Sequence, residues 1–119
     1  MQPEIDAQSV LQIPSERRRH PRFRLSVPIT IHRADGVNIP AISMEISQSG
    51  MSAITAGSLK IGDAVELEPI VATKLAAIVR RNLGKVYGLE FLNLTPEEIQ
   101  RITERCRMLP RYRGKLLGI

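Results

Sequence analysis

A run of arginines near the N-terminus is the stretch of this sequence best suited to bind an anion. Residues 17–24 have the sequence RRRHPRFR, which places five guanidinium groups within eight residues. Pro21 lacks a backbone N–H and disfavours the helical conformation for His20, so we predict an extended or loosely turned arm. Guanidinium grips phosphate through paired hydrogen bonds and also stacks on flat rings. A ligand with both phosphates and purine rings would use both properties.

A second polar stretch, Glu45-x-Ser47-x-x-Gly50, lies where a predicted strand gives way to a tight turn. A carboxylate and a hydroxyl separated by one residue on a strand point to the same face. The glycine lets the backbone fold closely beneath a ligand and exposes N–H groups. The carboxylate can accept from the N1–H and N2–H₂ groups of guanine. Taken singly, the two stretches also fit a solvated basic arm and an ordinary strand-to-turn transition.

Length and composition place both stretches in one small domain. The chain has 119 residues, of which 43% are hydrophobic, with two Phe, two Tyr and no Trp. The core must therefore be built mainly from Ile, Leu and Val. The net charge is +5, and the basic residues concentrate at 17–24 and 101–115. Such a chain suits nucleic acid, an anionic membrane or a phosphorylated ligand, and charge alone does not choose among them.

Several chemistries lack the residues that they need. Cys106 is the one cysteine, which excludes an internal disulfide and a cysteine-based zinc site. His20 and His32 have no ligand-spaced partner, and Ser47 has no histidine in a recognisable triad relation. No apolar run reaches the roughly 18 residues that span a bilayer, and no secretion signal is evident. We therefore expect a cytoplasmic, non-enzymatic protein with no metal, no cofactor and no membrane insertion.

Alternating apolar residues predict six strands after the arm. Leu25, Val27, Ile29 and Ile31 alternate with polar residues, which is the pattern of a half-buried strand. Turn residues separate the later segments, and Asn82-Leu83-Gly84-Lys85 has the composition of a hairpin turn. Six strands with short connections predict a small antiparallel barrel or sandwich. The predicted strands are 25–32, 39–46, 51–55, 64–70, 73–82 and 86–92.

One helix is predicted to close the domain. Thr95 suits the N-cap, Pro96 the first helical position and Glu98 the capping box. Apolar residues at helical spacing, Ile99, Ile102, Cys106 and Leu109, form one face. The predicted organisation is a flexible tail at 1–16, the arm at 17–24, a barrel at 25–94, a helix at 95–109 and a basic tail at 110–119.

The combination of these stretches resembles the PilZ domain family. An Arg-Arg-x-x-x-Arg arm is followed by strand, turn and strand, and then by the acid-x-Ser-x-x-Gly sequence. Three later segments are also similar to the family: AIVRR at 77–81, YGLEF at 87–91 and LTPEE at 94–98. The resemblance covers roughly residues 16–109, which is most of the chain.

The resemblance implies a mainly β fold, a six-stranded antiparallel β-barrel with a C-terminal α-helix, and a ligand, cyclic di-GMP. By position, Arg18 and Arg22 match the two arginines of the family motif, and Arg17 matches the basic residue before it. Their implied role is bidentate contact to phosphates and guanine, with stacking on the purine. Ser47 and Gly50 match the second motif.

Glu45 departs from the family pattern, which has Asp or Asn at this position. The additional methylene moves the carboxylate by roughly 1.5 Å and adds a rotatable bond. Two functions therefore stay open. The first is a cyclic di-GMP receptor that orders its arm on binding and signals to a protein effector, with motility or biofilm control implied. The second is an interaction module that no longer binds the nucleotide. Sparse aromatic residues disfavour a third, a nucleic-acid-binding barrel.

Overall fold

The strands in the described part of this protein form one continuous sheet, which a helix follows. The computed structural model describes residues 20–71 and 73–111. The predicted N-terminal tail, Arg17 and Arg18 lie outside this part of the chain. The elements are β1 Phe23–Arg24, β2 Pro28–Arg33, β3 Asn38–Ile46, β4 Gly50–Ile54, β5 Ala64–Glu68, β6 Leu75–Leu83, β7 Val86–Phe91 and α1 Pro96–Arg107.

Six of these strands close into a barrel in which every pairing is antiparallel. Their order is β3-β2-β5-β6-β7-β4, and β4 pairs back with β3. The short β1 adds to β3, with Phe23 opposite Ile46 and Arg24 opposite Glu45. The closed barrel and the C-terminal helix confirm the predicted fold class. The additional strand shows that the end of the arginine arm belongs to the sheet.

The barrel interior is filled by aliphatic side chains, as the composition predicts. Ile31, Ile46 and Leu67 are fully buried. The helix contributes Ile102 and Cys106 to the same core, and burial raises the pKa of the Cys106 thiol. Ile99, on the same predicted apolar face, is 41% exposed.

The first predicted strand is interrupted, and a buried serine bridges the interruption. Strand β2 begins at Pro28, which has no N–H to donate to a ladder. Between β1 and β2, the Ser43 hydroxyl donates to the Leu25 carbonyl and accepts from the Val27 N–H at 3.0 Å. The Ser43 N–H also donates to the Val27 carbonyl at 2.9 Å. Ser43 therefore forms hydrogen bonds with backbone groups that the interruption between β1 and β2 would otherwise leave unpaired.

The start of the helix follows the prediction closely. The Glu98 N–H donates to the Thr95 hydroxyl at 3.1 Å, and the Thr95 N–H donates to the Glu98 carboxylate at 2.9 Å. The backbone donor from Thr95 holds the pKa of the Glu98 carboxyl below its usual value. The helix ends at Arg107, with Met108 as C-cap, two residues before Pro110.

Candidate functional site

The arginine arm meets the second polar stretch through an ion pair between Arg22 and Glu45. The pairing of β1 with β3 explains this contact, because it sets Arg24 opposite Glu45. Arg22 lies just before β1, and its side chain reaches Glu45 from there. The Arg22 side chain is 17% exposed and the Glu45 side chain only 3%. The acidic partner of this pair is thus almost completely withdrawn from solvent.

Only half of the Glu45 carboxylate has a partner. The Oε1 atom accepts from Arg22 Nη1. The Oε2 atom is buried and has no hydrogen-bond partner among the described residues, and the same is true of the Ser52 hydroxyl. Glu45 and Ser52 lie directly opposite each other on β3 and β4. Two neighbouring buried polar atoms are therefore unsatisfied, whereas buried polar atoms in proteins are normally hydrogen-bonded.

A bulge in β3 directs Glu45 to this position. The β3–β4 register pairs Ser43 with Ala53 and Glu45 with Ser52, which leaves Met44 as the additional residue. In a regular strand Ser43 and Glu45 would share a face, and the bulge breaks that alternation. Glu45 then lies on the face opposite Ile46, whose side chain is in the core. The bulge thus removes the carboxylate from the hydrophobic core and places it beneath the arm.

Ser47 and Gly50 lie at the turn between β3 and β4, where both have structural roles. The Ser47 hydroxyl accepts from the Ser49 N–H at 3.2 Å, and the Ser47 N–H donates to the Gly50 carbonyl at 2.8 Å. A Cβ atom at Gly50 would overlap the carbonyl oxygen of Leu89 on β7. The Gln48 amide donates to Thr103 and thereby fastens this turn to α1.

A row of opposed residues crosses five strands through Glu45. It runs from Arg24 on β1 through Glu45, Ser52 and Gly88 to Arg81 on β6. Gly88 has no side chain, and the carbons of the Arg81 side chain lie close to the position that a Cβ of Gly88 would take. The row has a cation at each end and a carboxylate and a hydroxyl in the middle. This order of charges suits an anionic ligand that also presents hydrogen-bond donors.

The structure brings together four of the six predicted site residues and adds one that sequence reasoning missed. Arg22 contacts Glu45, and Ser47 and Gly50 form the adjoining turn. Arg17 and Arg18 lie outside the described residues. Ser52 was missed because its position opposite Glu45 depends on the bulge. The sequence offered one signal for it, since Ser52 follows Gly50 by two residues and so shares its face.

Two further classes of site are absent from the part of the chain that the structure describes. It contains no group of three or more His, Cys, Asp or Glu side chains arranged to hold a metal ion. None of its helices is long and apolar enough to cross a membrane. The site formed by the arm and the β3–β4 turn therefore remains the principal candidate in this part of the chain.

Comparison with known proteins identifies the family. The family model described as PilZ domain matches residues 16–107, which is most of the chain. No curated protein gives a significant match. The match includes Arg17 and Arg18 together with all the other predicted site residues.

Several solved structures share the fold. The PilZ domain of Escherichia coli YcgR with c-di-GMP is 20% identical, with a TM-score of 0.60, covering 78% of this chain and 91% of that one. The Bacillus subtilis inhibitor of motility MotI/DgrA is 21% identical, with a TM-score of 0.61, covering 77% of this chain but 50% of that one. The PilZ domain of CeSA from a cellulose-synthesizing bacterium is 13% identical, with a TM-score of 0.60, covering 73% and 95%.

These identities are low, and the likenesses show a common fold. The chain spans only half the length of the Bacillus protein. The family match is independent of these structures and extends over more than three quarters of the sequence. On that match, the chain belongs to the PilZ domain family.

Proposed function

We propose that this chain is a non-enzymatic receptor for cyclic di-GMP. The observation that carries the proposal is the Arg22–Glu45 pair, which joins the two motifs and leaves a buried carboxylate oxygen without a donor. The PilZ family binds cyclic di-GMP as a ligand, and one solved relative is a PilZ domain with c-di-GMP. The proposed ligand-binding residues are Arg17, Arg18, Arg22, Glu45, Ser47 and Gly50.

On binding, the ligand replaces each partner of the Arg22–Glu45 ion pair. A phosphate of cyclic di-GMP offers Arg22 a second anion, and the N1–H and N2–H₂ groups of guanine offer Glu45 two donors. Each exchange replaces one charge-assisted hydrogen bond by another. A buried carboxylate that loses its cation without gaining donors is strongly unfavourable. Release of Arg22 and recognition of guanine by Glu45 are therefore coupled steps.

This coupling gives the arm a means of signalling. Strand β1 is held on its other side by the segment after the helix, because the Arg24 N–H donates to the Pro110 carbonyl at 2.8 Å and Phe23 forms a bridge with Arg111. When the arm closes over the ligand, its pairing with this segment changes as well. The output is contact with a protein effector in the cytoplasm. The name of the Bacillus relative, an inhibitor of motility, favours motility as the controlled process.

Isothermal titration with cyclic di-GMP at physiological salt tests this proposal, with GTP as the control ligand. We expect saturable binding of cyclic di-GMP at micromolar concentration or below, and none of GTP. Arg22→Ala should weaken binding at least a hundredfold, about 2.7 kcal/mol, since it removes a bidentate phosphate contact. Arg33→Ala is the matched control, because Arg33 pairs with Asp35 beside the β2–β3 turn and outside the proposed site. Equal affinities for the two variants would refute the proposal.

One observation favours a second function, a protein-interaction module that does not bind the nucleotide. In the absence of ligand, Arg22 already has Glu45 as its anion. The longer glutamate side chain could keep this arginine from any phosphate. Glu45→Asp tests the alternative, because the shorter side chain should weaken the pair and release Arg22. Binding that appears only in this variant would establish the alternative, whereas tight binding by the unmodified chain would exclude it.

A further inference from the structure

Ser52 is a buried residue outside both motifs whose environment the fold does not explain. It is 4% exposed, and its hydroxyl has no hydrogen-bond partner among the described residues. The other buried serine and threonine hydroxyls in that part of the chain are bonded: Ser43 to the Leu25 carbonyl, Ser47 to the Ser49 N–H and Thr55 to the Pro40 carbonyl. Such a buried hydroxyl needs an explanation, and the simplest is a partner that it contacts only in another state of the molecule.

The neighbours of Ser52 in the cross-strand row limit what that partner can be. On β7 it faces Gly88, which offers no side-chain donor or acceptor. On β3 it faces Glu45, whose Oε2 atom is also unsatisfied. The Cβ atoms of directly opposed residues lie roughly 5 Å apart, so a serine hydroxyl and a glutamate carboxylate can meet after a change of rotamer. Within this row, Glu45 is thus the polar side chain directly opposite Ser52.

We infer that Ser52 is a positioning residue of the proposed cyclic di-GMP site. When Arg22 leaves Glu45 for a phosphate, the Ser52 hydroxyl donates to the Glu45 carboxylate and holds it for the donor edge of guanine. This inference rests on the proposed function and assigns a role to a residue outside both motifs. Serine can supply one donor and guanine two, so the buried carboxylate stays satisfied throughout the exchange.

The same arrangement selects the base. Guanine presents N1–H and N2–H₂ as adjacent donors, which suit the oxygens of a fixed carboxylate. Adenine presents an acceptor at N1, and a carboxylate held by Ser52 would repel it. A site built around hydrogen-bond complementarity rejects a ligand that leaves its buried polar groups unpaired. Ser52 therefore contributes to the preference for guanine by fixing the carboxylate that reads it.

Ser52→Ala tests the inference through two measurements. In isothermal titration, affinity for cyclic di-GMP should fall about tenfold, which is the effect of losing one hydrogen bond to a charged group. In thermal unfolding without ligand, the variant should be as stable as the unmodified protein or more stable, because an unsatisfied buried hydroxyl has been removed. Ser43→Ala is the matched comparison, and its melting temperature should fall because its hydroxyl is fully bonded.

The outcomes separate this inference from the proposed function. If the unmodified protein does not bind cyclic di-GMP, both are overturned. If it binds and Ser52→Ala binds equally well, only the role of Ser52 is overturned. If Ser52→Ala lowers the melting temperature as much as Ser43→Ala does, then Ser52 supports the fold and positioning is again rejected. Weaker binding with undiminished stability is the result that supports the inference.

Discussion

The two halves of the second motif use their residues differently. Ser47 and Gly50 are explained by the fold, since the serine closes the turn between β3 and β4 and the glycine permits the close approach of β7. Glu45 is not explained by the fold, because one of its buried oxygens has no partner and the other accepts a hydrogen bond from Arg22 in the arm. Glu45 therefore has a carboxylate oxygen still free to accept a hydrogen bond, whereas Ser47 and Gly50 build the turn beside it.

This difference shows what a match to the motif can and cannot establish. A sequence that keeps Ser47 and Gly50 keeps the turn, whether or not a ligand binds. Under the proposed function, the ligand acts on the contact between Arg22 and Glu45, with Ser52 opposite the carboxylate. Variants of the two halves should therefore affect stability and binding in different proportions.

Gly50→Ala should have the largest effect, because the new Cβ would overlap a backbone carbonyl of β7 that cannot rotate away. We expect the free energy of unfolding to fall by about 3 kcal/mol, the upper end of the penalty for overpacking. Urea denaturation followed by circular dichroism measures the loss. Gly88→Ala is the matched control, since its Cβ would meet only the Arg81 side chain and should cost clearly less. Equal losses would show that the β4–β7 approach does not explain Gly50.

Arg22→Ala should destabilise the ligand-free protein, because it leaves the buried Glu45 carboxylate without a cation. We expect a loss of about 2 kcal/mol in the free energy of unfolding. Adding Glu45→Gln should recover roughly half of that loss, since the buried charge is then removed. Urea denaturation of the single and double variants makes the comparison.

The exposed pair of Arg33 and Asp35 supplies the control for this prediction. Their side chains are 31% and 52% exposed, so solvent screens their attraction. Arg33→Ala should change the free energy of unfolding by less than about 1 kcal/mol. If Arg22→Ala costs no more than Arg33→Ala, then the arm does not neutralise Glu45 in solution, and the coupled exchange proposed above fails.

The fold could be predicted from local signals, whereas the site depended on an irregularity. Alternating residues located the six barrel strands, and the capping box at Thr95 located the helix. The two-residue strand β1 has no alternation to detect, and its pairing with β3 is a tertiary contact. The bulge at Met44 determines which residue faces Glu45, and no turn residue marks it in the sequence. The motifs were therefore visible, but Ser52 as a neighbour of Glu45 was not.

Substitution of Glu98 should have the smallest effect on stability. Both carboxylate oxygens of Glu98 have donors in the free protein, the Thr95 N–H and the Thr73 hydroxyl. These contacts lower the pKa of Glu98, so its charge stabilises the fold above the unfolded-state pKa, and this contribution is lost as pH falls through the folded-state pKa. Glu98→Gln keeps the cap geometry and should cost a few tenths of a kcal/mol at neutral pH. Urea denaturation from pH 7 downwards should show the two proteins converging, and affinity for cyclic di-GMP should stay unchanged. A constant difference at every pH would mean that the Glu98 charge does not stabilise the helix. Weakened binding would mean that the Glu98 carboxylate, although hydrogen-bonded in the free protein, also contributes to the ligand site.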